Sequence, residues 1–118
     1  MTGPSLEVAS SDLTPSVRKI GISGTVDPSN LLLLKNAIDD SFKKGIYKLV
    51  IDLKGANYIS SAGIACFITS LDVATDNGGQ MIFIAAPPQV QRIAEILMLS
   101  DVFSFADDEK SALAMLSK

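Results

Sequence analysis

The stretch YISSAGIACF, Tyr58 to Phe67, gathers the residue types best suited to chemistry in this chain: two adjacent hydroxyls at Ser60 and Ser61, then Ala62 and Gly63, then Cys66. It stands where a β-rich apolar run gives way to an apolar pattern of helical spacing. A serine at a helix start has unpaired backbone N–H groups beside it. Its hydroxyl can cap the helix, or carry a phosphate that those N–H groups and the helix dipole stabilise. Gly63 inside a helix costs roughly 1 kcal/mol relative to Ala, and with Ala62 it leaves room for another backbone to come close. A plain capping serine followed by tight helix–sheet packing accounts for the same residues without chemistry.

Other chemistry is thinly represented. There is no histidine, which removes the commonest general base, the usual activator of a nucleophilic serine and the commonest zinc ligand. Cys66 is the only cysteine, so an internal disulfide is excluded, and inside a helix it reads as a small core or half-buried residue. The acidic residues show no metal-ligand spacing, and no glycine-rich nucleotide loop follows a strand. Asp52 has the placing of a receiver-domain phosphoacceptor. That chemistry needs an acidic pair to hold Mg²⁺, and ISGTVDPSN supplies only Asp27. Neither an enzyme nor a cofactor is expected.

The elements that position the serines can be read from spacing. Leu6–Ala9 and Val17–Ser23 read as strands of an antiparallel hairpin joined by the turn signal SSDLTPS. The segment GTVDPSN opens a helix with Leu31, Leu34, Ile38 and Phe42 on one face and Gly45 as its stop. Tyr47–Leu53, YKLVIDL, is a nearly unbroken apolar run that belongs at the centre of a sheet covered on both faces. After the serines, Ile64, Phe67, Ile68, Leu71 and Ala74 form a stripe about four turns long that ends at Asn77-Gly78-Gly79. Gln80–Ala85 is the next strand, Pro87-Pro88 opens a helix with Val90, Ile93 and Leu97 inward, Val102–Phe105 is a last strand, and Asp107, Asp108 and Glu109 begin a final helix through Leu116. The order is ββαβαβαβα: an α/β fold with a mixed sheet, parallel after the hairpin.

Composition agrees. The 118 residues, 47% hydrophobic, suffice for one core, and a single domain over residues 1–118 is expected, with residues 1–5 disordered. Ten basic and thirteen acidic residues give a net charge of −3. The only basic clusters, Arg18-Lys19 and Lys43-Lys44, read as solvated surface, so nucleic acid is not an expected partner. Apolar runs such as LVI and MIFIAA fall far short of the roughly 18 to 20 residues that span a bilayer, and MTGPSLEV lacks a basic and apolar signal region. A cytoplasmic protein without a membrane partner is expected, and one cysteine agrees with a reducing compartment.

The succession SGTVDPSN, KLVIDLKGANYISSAGIACF, NGGQMIFIAAPPQVQRIAEILMLSDVF and the closing acidic helix resembles the STAS domains, specifically the anti-sigma-factor antagonists, from Leu6 onward. The resemblance implies a non-enzymatic switch. In that family the serine two residues before the junction glycine is phosphorylated by a partner anti-sigma factor that is also a serine kinase. Matched on Gly63, that serine is Ser61, with Ser60, where the family often has aspartate, as the alternative acceptor. Asp27 matches an acidic residue kept near the site. The docking face implied by the resemblance is the second helix with the loops Gly24–Asp27 and Ala56–Ser61, and the partner-binding residues are Asp27, Asn57, Tyr58, Ser60, Ser61, Ala62, Gly63 and Ile64. The unphosphorylated form would bind the anti-sigma factor and release a sigma factor, and a phosphate of about −1.5 to −2 charges would prevent this. ATP and Mg²⁺ would belong to the kinase, a PP2C-type phosphatase would reset the switch, and the free protein would be a monomer. The resemblance also admits an unphosphorylated scaffold, a lipid-transport subunit, or a partner switch acting on something other than a sigma factor.

Overall fold

The computed structural model of the protein describes residues 6–96 and 103–117. In chain order the elements are β1 (Leu6–Thr14), β2 (Val17–Val26), α1 (Leu31–Lys43), β3 (Lys48–Ile59), α2 (Ser61–Asp76), β4 (Gln80–Ile84), α3 (Pro88–Ile96), β5 (Ser104–Ala106) and α4 (Glu109–Leu116). The strands form one sheet in the order β1-β2-β3-β4-β5. β1 runs antiparallel to β2, and the remaining pairs are parallel. This is the ββαβαβαβα succession and mixed sheet that the sequence implies, with the YKLVIDL run on the central strand.

Side-chain alternation on β3 explains why that run is continuous. Leu49, Ile51 and Leu53 join Ile20, Ile22, Met81 and Phe83 in a core closed by Leu34 and Ile38 of α1, Phe67 and Leu71 of α2, and Val90 of α3. Val50 belongs to a second cluster with Val17, Ile82 and Ile84, under Ala112 and Leu116 of α4. One face of the strand is thus wholly apolar in this run, while the other buries Val50 and carries the half-buried Asp52 beside Lys19.

Three boundaries differ from expectation, for one reason. The residues SSDLT, expected to turn, continue β1 to Thr14, where Ser10, Ser11 and Asp12 pair with Ile20, Lys19 and Arg18. Likewise β2 runs on to Val26, and β3 runs six residues past Leu53 through the polar KGANY to Ile59. The β3–β4 pairing stops at Asp52 and Ile84, whereas β2 and β3 stay paired to Val26 and Ile59. Backbone pairing rather than burial holds these extensions, so they carry no apolar alternation for a sequence pattern to reveal.

The basic pair Arg18-Lys19 is not solvated surface. Arg18 is buried, with its Nε 2.9 Å from Asp12 and its Nη1 3.1 Å from Asp40, so its charge is paired across β1 and α1. Lys19 is half-buried between Asp52 and Glu109. Lys43 and Lys44 are exposed. β4 ends at Ile84 because Ala85 takes a left-handed φ of 55°, and α4 begins at its cap Asp108, whose carboxylate accepts from Ser111 N–H at 2.8 Å. Val90 is buried as expected and Ile93 half-buried. The expected roles of Leu97 and Val102 lie outside the described residues.

Candidate functional site: the β3–α2 serine junction

The paired ends of β2 and β3 carry the junction. Val26 stands beside Ile59 in the parallel register, and the next amide, Ser60 N–H, donates to Val26 O at 2.9 Å. Ser60 is extended, with φ −69° and ψ 168°, and its Oγ accepts from Gly63 N–H at 3.3 Å. Ser60 is thus the N-cap of α2, and the capping role that either serine could have filled falls to it. Ser61 is the first helical residue and is exposed.

The electrostatics follow from this arrangement. The first-turn amides of a helix have no intrahelical acceptor. Gly63 N–H is taken by Ser60, which leaves those of Ser61 and Ala62 without one. No acidic residue stands in the first turn of α2, so the positive end of the helix dipole is uncompensated there.

Gly63 faces inward. A Cβ there would lie 2.7 Å from Ile59 Cγ2 and 2.9 Å from Val26 Cγ1. The glycine is needed for helix–sheet packing, and it opens no space for a partner. Ile64 is 3% exposed within the core. The inward turn of α2 thus buries both of these expected partner-binding residues in the free chain, where they support the junction. Asn57 and Tyr58 are exposed, Tyr58 at 49%, and Ala62 is half-buried. Gly24 pairs with Ala56 and Thr25 with Tyr58, so Asn57 is the extra residue of a bulge at the ribbon end.

Asp27 follows Val26 directly, which ties it to the junction through the Val26–Ser60 hydrogen bond. Its Oδ1 accepts from the hydroxyl of Ser29 and from Ser29 N–H at 2.8 Å. The Ser29 hydroxyl holds the carboxyl below its ordinary range, so Asp27 is ionised at neutral pH. Its own N–H donates to Asn30 Oδ1 at 2.9 Å, and Asn30 Nδ2 donates to Thr25 O at 2.8 Å. The turn before α1 is thereby stitched to the end of β2.

Two features have no signature in the sequence. Gln89, in the first turn of α3, donates from Nε2 to Ile59 O at 3.1 Å and accepts at Oε1 from Ile59 N–H at 3.4 Å. A groove of about 450 Å³ lies between α1 and α2; Leu31 and Ala62 line it beside the junction, Cys66 midway, and Phe42 and Val73 further along. Lys35 and Asp39 also line this groove and pair at 2.8 Å. Cys66 is half-buried, and burial pushes its thiol up. It is a protonated groove residue, unlike the electropositive, exposed setting of a reactive thiolate. Among the described residues, no three His, Cys, Asp or Glu side chains gather as a metal-binding group.

Comparison with known proteins identifies the fold and the family. BtrV of Bordetella bronchiseptica, to which an anti-sigma factor antagonist role is ascribed, is 26% identical over 93 residues, covering 79% of this chain and 80% of its own. The crystal structure of an anti-sigma factor antagonist from Mycobacterium paratuberculosis superposes with a TM-score of 0.85 at 21% identity, over 97% of this chain and 96% of that one. The Bacillus cell-fate determinant SpoIIAA, at 14% identity, has the same fold in its unphosphorylated form, with a TM-score of 0.81 over 94% of this chain and 96% of that one. Its phosphorylated form gives 0.75 over 92% and 98%. Residues 10–112 match the STAS domain family, a span that runs from within β1 into α4 and includes the serine junction, and the chain belongs to that family.

Proposed function

We propose that the protein is an anti-sigma factor antagonist switched by phosphorylation at Ser61. Unphosphorylated, it binds an anti-sigma factor that is also a serine kinase and so frees a sigma factor. Phosphorylated, it releases that partner, and a PP2C-type phosphatase restores it. ATP and Mg²⁺ enter with the kinase. The chain itself supplies a hydroxyl and the surface around it, and acts in the cytoplasm.

The observation that carries this reading is the division of labour between the serines: Ser60 Oγ is engaged as the helix cap, while Ser61 is exposed at the first helical position. An acceptor must reach a kinase active site, and Ser61 is the free one. Around it the docking face consists of Asn57, Tyr58, Ser61 and Ala62 with the Asp27 turn. Adding about −1.5 to −2 charges at its centre repels or excludes a partner fitted to the bare surface, while the local amides and dipole stabilise the anion where it forms.

Incubation with the organism's anti-sigma kinase and ATP, followed by mass spectrometry, is expected to place one phosphate on Ser61. Modification confined to Ser60, or none by a kinase active on another antagonist, overturns the assignment. Ser61→Ala should bind the partner like the wild type and ignore the kinase. Ser61→Asp should bind about tenfold or more weakly, since a carboxylate carries part of the phosphate's charge. Calorimetric titration distinguishes these outcomes.

A further inference from the structure

Among the described residues, the end of β3 has a paired strand on one side only. β4 stops at Ile84, opposite Asp52, seven residues before Ile59. Ser60 N–H points to β2, where it meets Val26 O, so in a parallel strand the N–H and C=O of Ile59 point the opposite way, to where a β4 extension would lie. Both are met there by the side-chain amide of Gln89, at 3.4 and 3.1 Å. A primary amide offers one donor and one acceptor in the geometry of a peptide group. Gln89 therefore stands in for the absent strand at the residue that immediately precedes the two serines.

We infer that Gln89 is a positioning residue for the serine junction. By closing the open side of Ile59 it fixes where β3 ends, and with it the orientation of the Ser60 cap and of Ser61. This inference rests on the reading of Ser61 as the phosphoacceptor for its functional meaning. The clamp itself concerns this chain alone. It also makes α3, which contributes no residue to the docking face, an element on which the pose of that face depends.

The test uses two variants and a readout free of any partner. In Gln89→Ala, amide hydrogen exchange at Ile59 should accelerate by about tenfold or more, with smaller increases at Ser60 and Gly63, whose amides are held by Val26 O and Ser60 Oγ, while Ile20 and Ile82 in the sheet interior keep their wild-type protection. In Gln89→Glu the new carboxylate cannot donate to Ile59 O at neutral pH and regains a donor when protonated. The difference in Ser61 and Gly63 amide shifts between this variant and the wild type, taken at equal pH so that the titration of Asp27 cancels, should shrink as pH falls through about 4.3. A purely structural loss would not be restored by acid. Unchanged Ile59 exchange in Gln89→Ala, or a shift difference independent of pH in Gln89→Glu, overturns the clamp. The kinase assay supplies the second arm: Gln89→Ala should be phosphorylated several-fold more slowly than wild type at an equal folded fraction. An equal rate with altered exchange overturns the positioning role. A wild-type chain left unmodified by an active kinase sinks the phosphoswitch reading instead, and the exchange and pH data then decide the clamp alone.

Discussion

Gly63 shows how much one residue can be asked to do at this junction. Ile59 and Val26, which a methyl group at position 63 would meet at 2.7 and 2.9 Å, are fully buried and have no direction in which to yield. Alanine gains about 1 kcal/mol of helix propensity over glycine, but overpacking of a closed core costs about 1–3 kcal/mol. The second effect wins where the neighbours are fixed. Gly63→Ala is therefore expected to lower the thermal midpoint by several degrees, and a midpoint equal to or above wild type would mean that α2 can slide outward at no cost. The serine pair and the glycine are legible in the sequence as a helix start. Their division into cap, exposed hydroxyl and inward-facing contact is not, because that depends on which way the first turn of α2 faces the β2–β3 ribbon. Cys66 was legible as a small core or half-buried residue, and it is half-buried. Burial raises its thiol pKa, so at pH 8 it should react with iodoacetamide more slowly than a free cysteine peptide.

At the scale of elements, the helices announce themselves and the strand ends do not. Leu34 and Ile38 of α1, and Phe67, Leu71 and Ala74 of α2, are buried at the spacing the sequence displays. The ribbon formed by the ends of β2 and β3 carries the junction, yet Lys54, Gly55, Asn57 and Tyr58 within it are exposed. Its stability comes from pairing with a segment some thirty residues distant, which no local pattern encodes. The connection from β4 to α3 adds a cost of its own. Ala85 is exposed at φ 55°, a region that costs a residue with a Cβ about 1–2 kcal/mol. Glycine removes that strain and gives back part of the gain through its freer unfolded chain. Ala85→Gly should thus stabilise by about 0.5–1 kcal/mol in denaturant titration, by a higher midpoint at unchanged slope. Destabilisation would show that the left-handed turn is held by contacts of the Ala85 methyl.

Across the whole molecule, the two faces of the sheet serve different ends. α1, α2 and α3 cover the face that supports the junction, and α4 closes part of the other, tied by Lys19 Nζ at 3.1 Å from Glu109 and 3.5 Å from Asp52. The hydrogen bond to Glu109 raises the Lys19 pKa above its ordinary 10.5. A raised lysine pKa contributes stability that is complete below the unfolded value and is lost as pH rises through the folded one. Urea unfolding should therefore show a loss above about pH 10.5 that is smaller in Glu109→Gln; equal slopes in both would remove this tie from the account. Because the junction is an outlying helix start on an intact core, phosphorylation of Ser61 is expected to leave the fold in place. The thermal midpoints of the two forms should differ by a few degrees, and amide shifts should move mainly at Asp27, Tyr58–Ile64 and α2. Loss of cooperative unfolding, or shifts across the whole sheet, would make the switch conformational. The sequence by itself determined the order of elements, the central place of YKLVIDL and the presence of hydroxyls at a helix start, since hydrophobic period and capping chemistry are local properties. Only the tertiary structure decided that Arg18 is buried, that β2 and β3 extend to Val26 and Ile59, that Ser61 rather than Ser60 is exposed, and that Gln89 closes the end of β3. Each of those depends on a neighbour brought close by folding, and a linear pattern carries no record of which residue that neighbour will be.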